Sequence, residues 1–480
     1  MADSPNQGSS RLFCHSSGSL GIVMEYAIPT SIVLVAGVVL ALVAQWKGWR
    51  PSLVVTLTLG IAVRVLIMVL SARDTQWQPV DYVNSFQPAG VAILDHRDPV
   101  LESNGGWHFL PTIPYMYGLL LWLGIPWEYA GRIVTVVADV VLIPLVGKLA
   151  GARTEKLRAF QYACNPLAIL VASVHGQVEP VSLVFGVAAY IVARGPGDWR
   201  RPEPLPWARL RLANRDLPLP WISPGEIVRR IVHPSQEDRA ATGRAVWAGL
   251  LMGLALCAKS WPVILVPALL MFLPGLRSRL VSLVATGVSP VFFLLTLPIG
   301  GWTEWRQLPE VLNTIGLRPS DVRPITGDWG WTALVSGGNW NLDPLPARIG
   351  QYLIYAAIVA CLVWWRKADP VDVTIAILLA FMIFTPRLGA QYLLWFMPFL
   401  VARPTRWAWP AILGSTLWAA IGYIVLTQFS GPKWGELHAP WAISSLVLFP
   451  VLIAAIPWRR RYAQATPSPV PGEKKTVPAA

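Results

Sequence analysis

Charge is what this chain has least of. Only 14% of its 480 residues are Asp, Glu, Lys or Arg, where a soluble domain carries about 25%. Acidic residues are the scarcer sign, 26 against 39 basic. Hydrophobic residues make up 54% of the chain. They fall in apolar runs of roughly 14 to 22 residues that recur from Ala27 to Trp458, more than one soluble core can hide. A soluble enzyme, a coiled coil and a disordered chain are thereby excluded. Cysteine is equally sparse, with 4 in all. Cys164, Cys257 and Cys361 lie inside apolar runs and Cys14 stands alone, so neither a disulfide framework nor a zinc site is implied. The soluble phosphate signatures are missing too: no Gly-rich Walker loop, no GxGxxG and no HExxH. Nucleotide chemistry in the cytoplasm is therefore not expected. Residues 1–26 show no basic stretch followed by an apolar one, so no cleaved signal peptide is expected, and Met24 is an alternative start.

What is present is a repeated alternation of apolar runs and short basic clusters. It predicts an all-α, polytopic transmembrane bundle of about 13 spans. The spans are placed near 27–45, 53–71, 128–149, 159–174, 180–194, 244–258, 260–274, 280–298, 346–365, 371–385, 390–402, 407–427 and 441–457. About 27 of the 39 basic residues sit in clusters that mark one side as cytoplasmic. The net charge of +13 is thus read as topology, and nucleic acid is not expected as a partner. This topology puts residues 1–26 outside as a tail, 27–458 in the membrane domain and 459–480 inside as a disordered tail. Two large outer loops, 72–127 and 299–345, are expected to carry short interfacial helices. The large inner loop, 195–243, shows no helical or strand period and reads as irregular. The segment 110–124 is apolar but broken by Pro111 and Pro114, and is taken as re-entrant or interfacial, because an extra crossing would put the later basic clusters on the wrong side.

Polar residues near or inside the apolar runs are the candidates for chemistry. Asp74 and Asp81 follow the second span closely, where a carboxylate can serve as a general base toward a hydroxyl, or simply cap a helix. Lys259 lies between two apolar runs and suits a phosphate, or snorkels to the surface. Arg64 is mid-span and should face the bundle and pair with a carboxylate or phosphate. Arg132 and Asp139 share one helical face, each expected to meet a partner helix. His175, Gln177 and Glu179 form a polar turn that needs partners or a substrate. Arg387, Gln391 and Tyr392 make a similar turn, and Arg318 and Arg323 can clamp a phosphate from the second outer loop, or simply be surface charges. Trp302, Trp305, Trp329, Trp331 and Trp340 fit an interfacial belt or a sugar-stacking surface. No metal-ligand cluster is seen.

Taken in order, several of these pieces resemble the GT-C superfamily of membrane glycosyltransferases. They are Asp81-Tyr82 with Gly90 and Asp98-Pro99, the stretch Trp107 to Tyr117, Arg132 with Asp139, and Asn165-Pro166 with His175-Gly176-Gln177. Lys259 with Pro262, Trp329-Gly330, and Gln391-Tyr392-Leu393-Leu394-Trp395 followed by Pro398 complete the set. The chain departs from the family pattern at Val100, where Tyr is usual, and at Arg387-Leu388-Gly389-Ala390, which replaces Ser-Pro. The resemblance implies hexose transfer, with mannose the first guess, from a polyprenyl-phosphate-linked donor to a lipid or glycan acceptor. It implies an active site facing outside at the plasma membrane, inversion at the anomeric carbon and no cofactor. The base role falls to Asp81, with Asp74 or Asp98 in its place if the loop alignment slips. Lys259 and Arg387, then Arg318 or Arg323, would meet the leaving phosphate. His175, Gln177 and Glu179 would line the sugar or acceptor pocket beside Gln391 and Tyr392. A transporter or lipid flippase is the competing expectation. No repeated halves with matching broken helices, as many transporters have, are visible.

Overall fold

The computed structural model of the protein describes residues 27–73, 78–103, 107–196, 208–212, 215–219, 224–317, 329–338, 344–386, 389–428 and 431–460. Over these residues the chain is almost wholly helical. The first helices are α1 (Ala27–Lys47) and α2 (Leu53–Ala72). A wide π-helical turn, Tyr82–Phe86, leads into α3 (Gln87–Leu94), followed by α4 (Thr112–Trp122) and α5 (Trp127–Ala150). Then α6 (Glu155–Ala163) meets α7 (Pro166–Ile169), which a second π-helical stretch, Leu170–His175, continues; the two arms are bent by 48°. Helix α8 (Glu179–Arg194) comes next. Two strands, β1 (Ala208–Leu212) and β2 (Arg215–Leu219), precede α9 (Pro224–Val232) and α10 (Gln236–Ala258). A 3-10 turn, Trp261–Leu265, enters α11 (Val266–Met271), and α12 (Leu276–Ile299) follows. Short α13 (Leu308–Leu312) and α14 (Gly330–Val335) lead to α15 (Pro344–Trp364) and α16 (Pro370–Phe384). Another 3-10 turn, Ala390–Leu394, enters α17 (Met397–Ala402), and α18 (Ala408–Ala420) runs on into a π-helical turn, Ile421–Val425. Helices α19 (Gly431–Ser444) and α20 (Phe449–Ala455) close the described chain.

Eight helical stretches are long and apolar enough to cross a bilayer: α1, α2, α5, α10, α12, α15, Ala408–Val425 and Gly435–Ala455. The bent α6–α7 pair would make a ninth. The chain is a multi-pass membrane protein. The count of thirteen expected from sequence differs because four segments form helices of 16 residues or fewer: α8, Trp261–Met271, α16 and Ala390–Ala402. A straight crossing needs about 20 residues. Prolines at helix starts cut them short, at Pro180, Pro262, Pro370 and Pro398, positions where a missing N–H costs nothing. Asn165 starts α7 the same way, its side chain accepting from the Ala168 N–H at 3.1 Å with Pro166 next in line.

The expectation of an irregular 195–243 loop needs correction. It contains an antiparallel hairpin, in register from Ala208 with Leu219 to Leu212 with Arg215, and helix α9. The alternation Ala208-Arg209-Leu210-Arg211-Leu212 has the two-residue period of a strand. It was obscured by the many Pro and Arg around it.

Close packing in the bundle relies on small residues, as it must where lipid is as apolar as leucine. On α10, Gly249 and Gly253 form a G-x-x-x-G pair facing Ser282, Thr286 and Ser289 of α12, and a Cβ on Gly253 would lie 2.6 Å from the Thr286 carbonyl oxygen. At the start of the same pair, the Asp238 carboxylate accepts from the N–H groups of Arg277 and Ser278 at 3.2 and 3.0 Å, capping α12 from a neighbouring helix. Between α3 and α4, Gly90 leaves room for Tyr117 and Gly118 for Ile93.

One ion pair is sealed mid-bundle, both partners fully buried. Arg64 donates through Nε to Asp139 Oδ2 at 2.6 Å, and through Nη1 to the Gly60 and Ala163 carbonyls. Tyr162 donates to the other oxygen of Asp139 at 2.7 Å. Arg64 thus finds a carboxylate, as an intramembrane arginine should. At one end of the bundle the basic clusters gather: Arg194 bonds the Leu149 carbonyl and lies 4.0 Å from Asp369, Arg403 pairs with Asp369 and Asp372, and Arg460 reaches Asp372 at 3.4 Å. Glu179 and Arg194 mark opposite ends of α8, so the polar turns at 175–179, 259 and 391–392 lie at the other end of the bundle. Removing one partner of a buried pair leaves an uncompensated charge. Asp139→Ala is therefore expected to lower stability by about 3–5 kcal/mol, read as a drop in the unfolding midpoint in detergent; an unchanged midpoint would contradict the pairing.

Candidate active site

Of the chain segments that bring the polar turns together, three contain or border a π-helical turn. Such wide turns are rare, well under 1% of residues, and they often mark functional sites because they re-aim side chains. Asp81 stands just before Tyr82–Phe86, His175 ends Leu170–His175, and Tyr423 sits within Ile421–Val425.

The Asp81 carboxylate is exposed. Gln177 donates to its Oδ2 from Nε2 at 2.7 Å, the one hydrogen bond to this carboxylate among the described residues. Gln177 itself is buried, and its backbone N–H bonds Val171 at 3.1 Å. The turn before it depends on Gly176, which is left-handed at φ 67°. A Cβ there would stand 2.9 Å from the Tyr82 ring and 3.3 Å from Arg132 Cγ, so both the conformation and the space call for glycine. Asp98, another of the first-loop carboxylates, is committed elsewhere. It is 1% exposed, accepts from the N–H groups of Val100 and Leu101 at 2.6 and 2.9 Å, and bonds the Thr303 hydroxyl. Asp74 lies outside the described residues.

Below the exposed carboxylate sits a buried ion pair. Glu179 opens α8 and Lys259 follows the last residue of α10, so the anion meets a helix N-terminus and the cation a C-terminus, each the favourable end of the helix dipole. The Lys259 ammonium donates to Glu179 Oε1. It also lies 5.2 Å from the Tyr392 ring centroid and 5.6 Å from that of Phe109, within cation–π range. Lys259 is 6% exposed and Glu179 wholly buried; Glu179 Oε2 has no hydrogen-bond partner among the described residues. The charge of Asp81 acts on Lys259, His175 and Tyr423. The His175 ring packs on Tyr423 at 4.8 Å, and the Tyr423 hydroxyl reaches Gln391 at 3.4 Å.

Six of the predicted residues, Asp81, His175, Gln177, Glu179, Lys259 and Tyr392, therefore meet in one place, with Gln391 joined through Tyr423. Arg318, Arg323 and Arg387 lie outside the described residues, as does Trp340. Trp329 is not a surface residue: it is fully buried and donates to the Met382 carbonyl at 2.7 Å. Trp302 donates to the Ile93 carbonyl and packs on Tyr115, while Trp305 is 60% exposed. Tyr423 and Phe109 were not foreseen; both lie in apolar stretches whose polarity gives no sign of a site. Among the described residues no three His, Cys, Asp or Glu side chains come together in a group fit for a metal ion.

The arrangement offers an open carboxylate able to take a proton, a neighbouring imidazole, and amide and phenol groups able to bond hydroxyls. Breaking the ion pair from one side should cost more than removing both charges. Lys259→Met or Glu179→Gln alone is expected to lower the unfolding midpoint in detergent more than the double variant does; strictly additive losses would contradict a coupled pair. No protein-family model and no curated protein matches the chain, so a functional reading rests on the site itself.

Proposed function

We propose that the protein is a membrane glycosyltransferase of the GT-C type. It would move a hexose, mannose first, from a polyprenyl-phosphate-linked donor to a lipid or glycan acceptor at the outer face of the plasma membrane. The observation that carries the reading is the exposed Asp81 carboxylate, oriented by Gln177 beside the buried Lys259–Glu179 pair, at the end of the bundle away from the basic clusters. Positive clusters mark the cytoplasmic side, which supports an Asp81 facing outside. In this reading the short helices cross as well, giving thirteen spans with the amino terminus outside and the carboxyl terminus inside.

The chemistry follows from the groups at the site. An acceptor hydroxyl within hydrogen-bond reach of Asp81 loses its proton to that carboxylate as its oxygen bonds to the anomeric carbon. The bond from that carbon to the phosphate oxygen breaks, and its electron pair leaves on the polyprenyl phosphate. Attack from the face opposite the leaving group inverts the configuration. The departing phosphate needs a positive partner. Lys259 is one candidate, although its charge is already matched by Glu179, so the phosphate must share it. Arg387, then Arg318 or Arg323, are the others. His175, Gln391, Tyr392 and Tyr423 supply hydrogen-bonding and ring surfaces for sugar or acceptor.

Purified protein given polyprenyl-phosphate-linked mannose or glucose with a membrane lipid extract is expected to transfer sugar. Asp81→Ala should reduce the rate by about 10²–10⁴-fold with the unfolding midpoint unchanged, since this side chain is exposed. Transfer undiminished in the variant would remove Asp81 as base. No transfer by folded wild-type protein would favour transport without glycosyl chemistry.

A further inference from the structure

The hydrogen bond from Gln177 to Asp81 is not an isolated contact. Arg132, on α5 and fully buried, grips both segments that carry it. Its Nη2 donates to Gln78 Oε1 at 2.8 Å and its Nε to the Val174 carbonyl at 3.1 Å. Gln78 precedes Asp81 by three residues, and Val174 precedes Gln177 by three. The third direction of the guanidinium, Nη1, returns to Glu128 of its own helix at 2.8 Å. Its flat face covers the ring of Tyr82, next to Asp81, at 4.5 Å, and the Tyr82 hydroxyl donates to the Trp127 carbonyl at 2.6 Å. A planar fork of fixed geometry thus sets the spacing of two chain segments that are far apart in sequence, and the Gln177 amide closes the gap between them.

We propose that Gln177 is a positioning residue for Asp81, holding the carboxylate turned toward the site, with Arg132 fixing the separation of the two segments. The inference deepens the glycosyltransferase reading and rests on it for its functional meaning, but the orientation of Asp81 is testable without turnover.

The test uses full-length protein in detergent with Gln177→Leu and Gln177→Met, which is of similar length and has no donor. A cryo-EM structure of Gln177→Leu is expected to show the Asp81 carboxylate turned away from its wild-type orientation, and an unchanged orientation would overturn the proposal. Where the wild type transfers sugar, kcat of Gln177→Leu should fall about tenfold to hundredfold with KM little changed, and the same change should add no further loss in an Asp81→Ala background; a full additional loss there would also overturn it. A displaced carboxylate with no sugar transfer by the wild type would keep the positioning and reject the glycosyltransferase reading. If Gln177→Leu does not fold, Gln177→Met takes its place.

Discussion

An arginine buried in a membrane bundle must have its donors met by protein, because neither water nor lipid is there to do it. Arg132 meets this constraint by bonding its own helix, the turn at Val174 and the side chain of Gln78, and by covering Tyr82. The rest of the site depends on that solution. Together with the Tyr82 hydroxyl bond to the Trp127 carbonyl, it holds the first-loop segment at the distance from which Gln177 reaches Asp81 at 2.7 Å. Gly176 and Gly131 exist in the same frame: a Cβ on either would run into Tyr82.

The same constraint explains why the buried charges come in matched sets. Arg64 and Asp139 are joined mid-bundle with Tyr162 completing the carboxylate, and Lys259 and Glu179 are joined where two helix ends meet. The two pairs differ in what surrounds them. The first is closed on every side by helix, and its role is to hold α2, α5 and α6 together. The second lies beside Tyr392, Phe109 and the turn that carries Gln177, and Glu179 keeps one oxygen without a partner among the described residues. Short helices make this possible. Because α8, Trp261–Met271 and Ala390–Ala402 start or stop within the bundle, their ends deliver polar groups to a shared point that full-length crossings would have separated.

Much of this could be read from the sequence. Apolar runs gave the helices, basic clusters gave the end of the bundle where Arg194, Arg403 and Arg460 gather, and polar residues at run boundaries gave Asp81, His175, Gln177, Glu179, Lys259 and Tyr392. Eight of the thirteen expected spans are long apolar helices and one is the bent α6–α7 pair; the other four coincide with shorter helices, whose lengths the apolar runs did not foretell. Pairings were out of reach. Lys259 and Glu179 are 80 residues apart, and a single sequence carries no sign that one neutralises the other. Local geometry was also hidden. The π-helical turns that aim Asp81, His175 and Tyr423 have no compositional mark, and the alternation of the 208–212 strand is lost among its flanking Pro and Arg. Trp329 shows the opposite error: an aromatic in a loop-like stretch is core, bonded to Met382.

The central claim is that Asp81 acts as a base in a single displacement at a sugar carbon. The anomeric configuration of the product tests it most directly. With a β-linked polyprenyl-phosphate hexose as donor and membrane lipid as acceptor, nuclear magnetic resonance of the isolated product should show an α-linked sugar. A β-linked product would mean two displacements and a covalent intermediate, with a carboxylate as nucleophile, and would contradict the account.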